Sequence, residues 1–519
     1  MNKSEQFKQI IDKDYAFKGE SFILGAPIFN GEVIQDSYIR VPLKTMNRHG
    51  LIAGATGTGK TKTLQVIAES LSDASVSVLM LDIKGDLSGI ASSGTENKII
   101  QERYGKMKLD YHPTAFPVEL MSISHEKGIR LRATILEFGP VLMSKILGLN
   151  DTQSGLVALI YKFCDDHQLP LIDLKDFIKV LQYIGNEGKE DIEKEYGKVS
   201  TTTTGTILRK IIELQQQGAD LFFGEPSFDI DDLMRIDNRG RGMINIIRVT
   251  DMQDKPKLFS TFLLQLLSEI YATCPEEGDL DKPKLVMFID EAHLIFQEAS
   301  SALLQQIETV IKLIRSKGIG IFFCTQNPTD VPPSVLGQLG FKLQHALRAF
   351  TAKDRKNIKS MAENFPYSDF YKTDELLTRM GVGEALVTLL NEKGMPTALS
   401  YTMLCSPRSR MDILSEQEID AVISGSQLVA KYNQDIDRQS AYEILMERMK
   451  AVQAQKTQEA EQKAAAGMSR SVRSEKTMLE EILSSPTAKQ VARTATGTLT
   501  NTLVRGLMGA LGLGGRRRY

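Results

Sequence analysis

The chain has 519 residues, with 63 basic and 65 acidic side chains, a formal net charge of −2 and no tryptophan. A hydrophobic fraction of 42% and a charged fraction of 25% are typical of globular proteins, so disorder of the whole chain is excluded. The near-zero net charge also excludes a uniformly basic nucleic-acid-binding domain, and any polyanion site must be a local patch.

The first 17 residues contain scattered charges and lack the apolar core that a secretory signal needs. No segment approaches about 18 consecutive apolar residues, so the sequence predicts no membrane span and a cytoplasmic location. The four cysteines and six histidines are dispersed, without the spacing of a zinc site or a disulfide framework. We therefore expect reduced cysteines and no dedicated protein metal site.

The amino-terminal range, residues 1–45, mixes short alternating runs with Gly and Pro, which predicts a small β segment. Residues 46–124 contain an apolar run at 51–53, a Gly-rich turn, a helical pattern and a second apolar run at 76–81. A strand, a loop and a helix followed by a buried strand are typical of an α/β fold with a parallel sheet.

Residues 125–240 differ because apolar residues recur there at the i, i+3 and i+4 spacing of helices, and we interpret this range as a mainly helical insertion. Strand character resumes in residues 241–410, for example in the apolar runs 285–289 and 319–325. We expect residues 411–519 to form a helical, partly disordered C-terminal extension.

The end of that extension is strongly basic. Residues 485–519 contain six basic side chains and no acidic one, so the rest of the chain carries a net charge of −2 − 6 = −8. The charge is segregated along the chain, and the tail could form a basic, Gly-rich amphipathic helix or a disordered terminus.

The Gly-rich turn fits the pattern G-x-x-x-x-G-K-[ST] between an apolar run and a helix. In this pattern, glycines let successive backbone N–H groups and the helix N-terminus face phosphate oxygens. Lys60 is expected to reach the β and γ phosphates, and the Thr61 hydroxyl to bind Mg²⁺. The alternative, a plain turn beside a solvated lysine, is disfavoured by the flanking strand and helix. The predicted binding residues are Gly54, Ala55, Thr56, Gly57, Thr58, Gly59, Lys60 and Thr61.

The apolar run 285–289 ends in Asp290 and Glu291. An aspartate at the carboxyl end of a parallel strand can hold Mg²⁺ through water, and the adjacent glutamate can polarise an attacking water. We therefore assign Asp290 to the metal and Glu291 as the catalytic base; the alternative is that both acids cap the next helix. His293, the last letter of the string DEAH, is expected on a helix face.

Three further candidates follow from their positions. Gln326, just past the run 319–325, either senses the γ-phosphate and orients water or is an amide in a loop. Arg315 either ends a helix as a cation favoured by the helix dipole or enters a neighbouring subunit's site as an arginine finger. Asp82, at the end of the second strand, is either a turn residue or a further carboxylate near the phosphates.

Several segments together resemble the HerA/FtsK superfamily of P-loop ATPases. They are NRHGLIAGATGTGKT (47–61), LDIKGDLSG (81–89), LVMFIDEAH (285–293) and RSKGIGIFFCTQNPTDVPPSVLGQLG (315–340). Within that superfamily the chain is most similar to YjgR-type HerA-like proteins, through further segments at 132–155, 222–234, 344–354 and 381–394. The resemblance covers about residues 45–410.

This resemblance implies a RecA-like P-loop NTPase core with a mostly parallel sheet, in two parts at 46–124 and 241–410. It implies ATP and Mg²⁺ as cofactors and a homo-oligomeric, commonly hexameric ring with ATP between subunits. By position it also implies that Arg315 is the trans-acting arginine, Gln326 the polar sensor and Asp82 the acid after the second core strand.

The substrate stays open at this point. HerA and FtsK relatives are DNA translocases, but residues 1–45 are too short for a complete HerA β-barrel, and no winged-helix module is evident. The leading interpretation is an Mg²⁺-dependent ATPase motor that translocates or processes duplex DNA. The alternatives are an ATPase that remodels or anchors a protein or membrane partner through residues 485–519 and, more weakly, a small-molecule kinase.

Overall fold

The computed structural model describes residues 2–253, 255–278, 280–296, 301–349, 351–434, 436, 438–455 and 457–458. The chain divides into two compact units, Met1–Ile444 and Leu445–Tyr519. The described residues of the second unit are helical. The predicted basic tail and its expected membrane or protein contacts, at 485–519, lie outside the described residues.

The first unit contains one mixed sheet, formed in the described residues by thirteen strands. They are β1 Ser21–Phe29, β2 Glu32–Val33, β3 Ile39–Pro42, β4 Gly50–Ala53, β5 Ser77–Asp82, β6 Val118–Ser122, β7 Ile129–Arg130, β8 Ile244–Arg248, β9 Leu285–Ile289, β10 Ile319–Thr325, β11 Phe341–His345, β12 Glu384–Thr388 and β13 Ser400–Leu404. Their order across the sheet is β2-β1-β13-β12-β11-β4-β10-β9-β5-β8-β6-β7, and β3 pairs with β1.

Helices connect these strands. They are α1 Lys3–Asp14, α2 Lys60–Asp73, α3 Lys98–Met107, α4 Ile135–Ile146, α5 Asp151–Asp166, α6 Leu174–Gly185, α7 Lys189–Tyr196, α8 Thr201–Gln216, α9 Ile230–Leu233, α10 Pro256–Thr273, α11 His293–Phe296, α12 Ser301–Ile314, α13 Pro333–Leu336, α14 Ala352–Ala362, α15 Thr373–Arg379, α16 Glu416–Ser424 and α17 Leu428–Tyr432. None of the helices among the described residues is long and apolar enough to cross a membrane.

The sheet has a parallel part and an antiparallel part. The eight strands from β11 to β7 along the sheet order run parallel to one another. The remaining strands, β12, β13, β1, β2 and β3, pair antiparallel. Strands β5, β9 and β10 are buried along their whole length, as expected for parallel strands that are covered on both faces. The predicted α/β fold with a mostly parallel sheet is therefore confirmed.

Helix α2, which follows the Gly-rich turn, is anchored in the main core. Its residues Leu64, Ile67 and Leu71 belong to the same buried cluster as Phe288 of β9 and Phe322 of β10. Burial of each such side chain stabilises the fold by about 1.5–3 kcal/mol. The start of α2 is consequently held at a fixed place relative to β9 and β10.

Residues 3–14 form α1, which the interpretation of 1–45 as a β segment did not include. The helix begins with a capping box, in which Asn2 accepts from the Glu5 N–H and the Glu5 carboxylate accepts from the Asn2 N–H. The helix packs on the sheet through the buried residues Phe7 and Ile11, and the Phe7 ring stacks on Phe29 with a centroid distance of 5.2 Å. The capping box was the available sequence signal for this helix.

Between β7 and β8 the chain forms the six helices α4 to α9. These elements lie within the range 125–240, for which the sequence predicts a mainly helical insertion. The boundaries of that insertion, like those of the other predicted domains, stay a prediction.

Candidate functional site

Most of the predicted site residues lie at one edge of the parallel sheet. Strands β4, β10, β9 and β5 are consecutive neighbours and parallel, so their carboxyl ends meet at the same edge. In open α/β sheets this edge is the place where ligands bind. The loops that follow these strands carry Gly54–Thr61, Gln326, Asp290 with Glu291, and the turn after Asp82.

The Gly-rich turn uses backbone conformations that favour glycine. Gly54, Gly57 and Gly59 have φ values of +155°, +77° and +112°. A Cβ atom on Gly54 would lie 2.4 Å from the Cβ of His345, so the turn passes directly over β11. The N–H of Ala55 also donates to the carbonyl of Ala346 at 2.9 Å. The turn is therefore fixed in place by its backbone.

Helix α2 begins with open backbone donors. Its N-cap residue is Gly59, which offers no side-chain acceptor to the first turn. The first N–H groups of a helix have no partner inside the helix, and they carry the positive end of the helix dipole. The start of α2, at Lys60 and the half-buried Thr61, is thus an anion-binding end of the kind that phosphate groups occupy.

Lys60 is buried, with 6% of its surface exposed. Its ammonium group donates to the carbonyl oxygens of Gly54 at 2.7 Å and Ala55 at 3.2 Å. Burial and, next, the positive charge of Lys84 lower the pKa of Lys60. Since both hydrogen bonds go to uncharged carbonyl groups, the Lys60 charge can attract an anion on the turn.

Asp290 and Glu291 directly follow β9 and are 4% and 6% exposed. The Glu291 N–H donates to Asp290 Oδ1 at 2.9 Å. Burial raises the pKa of Asp290 to about 6, an effect that Lys84 opposes and Glu291 reinforces. Glu291 has a φ of +47°, a left-handed conformation that costs a non-glycine residue about 1–3 kcal/mol and occurs mainly at functional sites.

Lys84 joins these carboxylates, and sequence reasoning missed it. The Lys84 ammonium lies 2.5 Å from Glu291 Oε1 and 3.9 Å from Asp290 Oδ2. The ring of His293, the first residue of α11, lies 3.2 Å from Glu291 Oε2 through Nδ1. The available signal for Lys84 was its place in the loop after β5, since β5 is the direct neighbour of β9.

Asp82 shapes the loop that carries Lys84. Its two carboxylate oxygens accept from the N–H groups of Gly85 at 2.7 Å and of Asp86 and Leu87 at 3.2 Å each. Burial, followed by the charge of Asp86, raises the pKa of Asp82 to about 7. This geometry corresponds to the interpretation of Asp82 as a turn residue. Asp82 is linked to the site indirectly, because the loop that it organises carries Lys84.

Gln326 lies on the same edge, in the exposed loop after β10. The loop is braced by Asp330, whose Oδ2 accepts from the Thr325 hydroxyl at 2.5 Å. Gln326 and Ala55 together line a pocket of about 210 Å³, whose lining also includes Arg348 and Asn357. The amide is therefore placed beside the start of the Gly-rich turn.

Arg315 lies at the opposite edge of the sheet. It is exposed and begins the short 3-10 turn Arg315–Lys317, between α12 and the amino end of β10. The seven residues of β10 separate it from Gln326, a distance of about 20 Å at 3.3 Å per residue. An arginine side chain cannot span that length, so Arg315 does not reach the site of its own chain.

The residues of the site fit a magnesium ion. Among the described residues no three His, Cys, Asp or Glu side chains come together as a metal cluster. Mg²⁺ does not need one, because it is commonly bound by one or two protein oxygens, water and the phosphates of a substrate. The Asp290 carboxylate and the Thr61 hydroxyl provide this kind of donor set.

The sheet order, the Gly-rich turn and the acidic pair after β9 define the class: the chain has the fold of the RecA-like P-loop NTPases. The bacterial conjugative coupling protein TrwB has a similar fold, with a TM-score of 0.50 and 14% identity, over 79% of this chain and 94% of that one. The chain belongs to the family described as Helicase HerA-like C-terminal, whose pattern matches residues 30–518.

Two relatives that are named as helicases are distant in sequence from this chain. The DNA double-strand break repair helicase HerA of Sulfolobus acidocaldarius is 19% identical over 370 residues, which are 70% of this chain and 66% of that protein. The protein of the same name from Sulfurisphaera tokodaii is 22% identical over 360 residues, or 68% and 64% of the two chains. The chain thus spans slightly less than two thirds of the length of these relatives.

Proposed function

We propose that this protein is an Mg²⁺-dependent ATPase motor that couples ATP hydrolysis to the translocation or processing of duplex DNA. The observation that carries the ATPase proposal is the meeting, at one sheet edge, of the open start of α2 and Lys60 with Asp290 and Glu291. The DNA part rests on membership of the HerA family and on relatives that are named as DNA repair helicases.

Each residue of the site has a distinct role in this proposal. The N–H groups at the start of α2 and the Lys60 ammonium bind phosphate oxygens and stabilise negative charge in the transition state. Thr61 and Asp290 would hold Mg²⁺, which neutralises phosphate charge when bound. Glu291 accepts a proton from the attacking water, and Gln326 senses the terminal phosphate or orients that water.

The position of Arg315 supports an assembly of several copies. Because Arg315 lies about 20 Å from its own site, it can stabilise transition-state charge only in the site of a neighbouring chain. Head-to-tail contacts of this kind are heterologous, and they form a ring when the rotation between neighbouring subunits closes. We therefore propose a homo-oligomeric ring, hexameric as in the family resemblance, with each ATP site at a subunit interface.

The test is steady-state ATP hydrolysis by the full chain, with and without duplex DNA. We expect DNA to stimulate hydrolysis, and we expect Lys60→Ala and Glu291→Gln to lower it at least about 100-fold. Lys106→Ala, which changes an exposed lysine on α3, is the matched control and should behave as the unmodified protein. Equal hydrolysis with and without nucleic acid would reject the DNA part, and full hydrolysis in both site variants would reject the ATPase site.

A further inference from the structure

Both oxygens of the Glu291 carboxylate have close protein neighbours in this structure. Oε1 is held by the Lys84 ammonium at 2.5 Å. Oε2 is buried and makes no hydrogen bond within the described residues, although His293 Nδ1 lies 3.2 Å away. A base that deprotonates water must come within hydrogen-bond distance of it. In this structure Lys84 therefore competes with an attacking water for Oε1.

Lys84 is the more exposed partner in this arrangement. Its side chain is one third exposed, whereas those of Asp290 and Glu291 are 5% and 7% exposed. It extends from the loop after β5 that Asp82 organises, next to the loop of the acidic pair. A lysine side chain has four flexible carbons and three equivalent donors, so it can exchange one anionic partner for another without a change in the loop.

The charges of the site favour such an exchange. Lys60 and Lys84 are close enough for the charge of Lys84 to lower the Lys60 pKa. The two ammonium groups are balanced by the carboxylates of Asp290 and Glu291, so the four residues sum to zero. A magnesium nucleoside triphosphate bound next to Lys60 would add a net charge of about −2, and an Mg²⁺ ion held by Asp290 would repel the Lys84 ammonium.

We propose that Lys84 is a positioning residue that holds Glu291 in an ion pair before nucleotide binds. When a nucleoside triphosphate binds, the Lys84 side chain moves its ammonium group from Glu291 to the terminal phosphate. The transfer exchanges one ion pair for another and breaks no covalent bond. It releases Glu291 Oε1 to accept a proton from water only when a terminal phosphate is present. This inference rests on the proposed function, because it concerns the same site.

The first test needs no nucleotide. We compare the unfolding midpoints of the unmodified protein, Lys84→Met, Glu291→Gln and the double variant. Lys84→Met removes one of the two ammonium groups that balance the buried carboxylates, and it should lower the midpoint by about 2 °C or more. Because Glu291→Gln removes one of those carboxylates, the unfolding midpoint of the double variant should fall by less than the sum of the two single decreases. Strict additivity would overturn the resting ion pair.

The second test measures nucleotide affinity by titration calorimetry with Mg²⁺, using ADP and a non-hydrolysable ATP analogue. Lys84→Met should weaken binding of the analogue about 10-fold more than binding of ADP, because ADP lacks the terminal phosphate. Lys84→Arg keeps the charge and should preserve the selectivity. Glu291→Gln should strengthen binding of the analogue, because it frees Lys84 from its ion pair.

The outcomes separate this inference from the proposed function. If the unmodified protein binds both nucleotides and Lys84→Met weakens them equally or not at all, the transfer is wrong and the ATPase proposal stands. If the unmodified protein binds neither nucleotide, both are overturned.

Discussion

The two edges of the parallel sheet are built for different tasks. At the carboxyl edge, the charged side chains of Lys60, Lys84, Asp290 and Glu291 converge on loops, and several backbone positions have left-handed φ values. The buried charges and the strained Glu291 cost stability there. Such costs are expected where a ligand is to be bound rather than where the fold is to be stabilised.

At the amino edge, the backbone is packed closely instead. A Cβ atom on Gly320 would lie 2.2 Å from the carbonyl oxygen of Met46. His49 ties three elements together, because its Nε2 donates to the Ile311 carbonyl at 2.9 Å and its Nδ1 accepts from the Ile321 N–H at 3.0 Å. Changes at the carboxyl edge should therefore affect chemistry, and changes at the amino edge should affect stability, with Arg315 as the exception.

Arg315→Ala should give the largest effect. It is the exception to the division between the two edges, because it changes a residue at the amino edge and should lower ATP hydrolysis. We expect ATP hydrolysis to fall about 10³-fold while nucleotide affinity stays unchanged. Lys312→Ala, an exposed lysine in the last turn of α12, is the control and should retain activity. Hydrolysis assays and calorimetric titrations on the same preparations measure both quantities.

Mixing variants shows where Arg315 acts. An assembly of Arg315→Ala and Glu291→Gln chains contains interfaces with an intact Glu291 on one side and an intact Arg315 on the other. Random mixing makes about one quarter of the interfaces intact, so about that share of activity should return. No recovery above the sum of the two separate variants would show that Arg315 does not act in trans.

Gly320→Ala should give the largest loss of stability. The added methyl group meets backbone rather than a movable side chain, and we expect the free energy of unfolding to fall by about 3 kcal/mol. Gly155→Ala, in α5, is the matched control, because no atom lies within 4 Å of the added Cβ and alanine favours a helix by about 1 kcal/mol. Urea unfolding at fixed pH compares the two. Equal midpoints for both variants would contradict the closed amino edge.

The pH dependence of stability tests the contribution of buried His49 at the amino edge. Burial lowers the pKa of His49 to about 4, so the folded protein resists the proton that the unfolded chain binds near pH 6.5. The stabilisation is present above pH 6.5 and is lost as the pH falls toward 4, by about 1 kcal/mol at pH 5.5. His345 beneath the Gly-rich turn has the same direction and a pKa of about 4.

Asp82 acts in the opposite direction. Because its pKa is raised to about 7, its contribution to the free energy of unfolding is present below pH 4 and is lost as the pH rises toward 7. The informative measurement is therefore the difference between the unmodified protein and His49→Gln, with unfolding followed at pH 7 and pH 5.5. We expect a smaller loss on acidification in the variant. Parallel pH curves would show that His49 does not titrate as its burial implies.

Sequence patterns revealed the parts of the fold that depend on local signals. The apolar runs 285–289 and 319–325 became β9 and β10 with the same bounds, because strands buried on both faces are continuously apolar. The antiparallel part of the sheet was not predictable in this way. Its central pair joins β1 to β13, where Gly25 lies opposite Leu404, and no local pattern indicates a pairing across that separation.

The same limit applies to the site. The pattern 54–61 and the acids after β9 are local, so the sequence pointed to them. Lys84 and Glu291 are more than 200 positions apart and meet only because β5 and β9 are neighbours. The separation of Arg315 from the site likewise follows from the direction of β10. That direction can be inferred only after the parallel pairing of the strands is known.

Gly57→Ala should give the smallest effect, and it tests the view that the carboxyl edge is shaped by backbone conformation. Gly57 has a φ of +77°, but an added Cβ would meet no atom within 4 Å. The cost is therefore conformational alone, about 1 kcal/mol of unfolding free energy against about 3 kcal/mol for Gly320→Ala. Gly57→Asn should cost less than Gly57→Ala, because asparagine adopts left-handed backbone more readily. Urea unfolding measures all three, and an asparagine variant as unstable as Gly320→Ala would show that the turn is limited by steric contact after all.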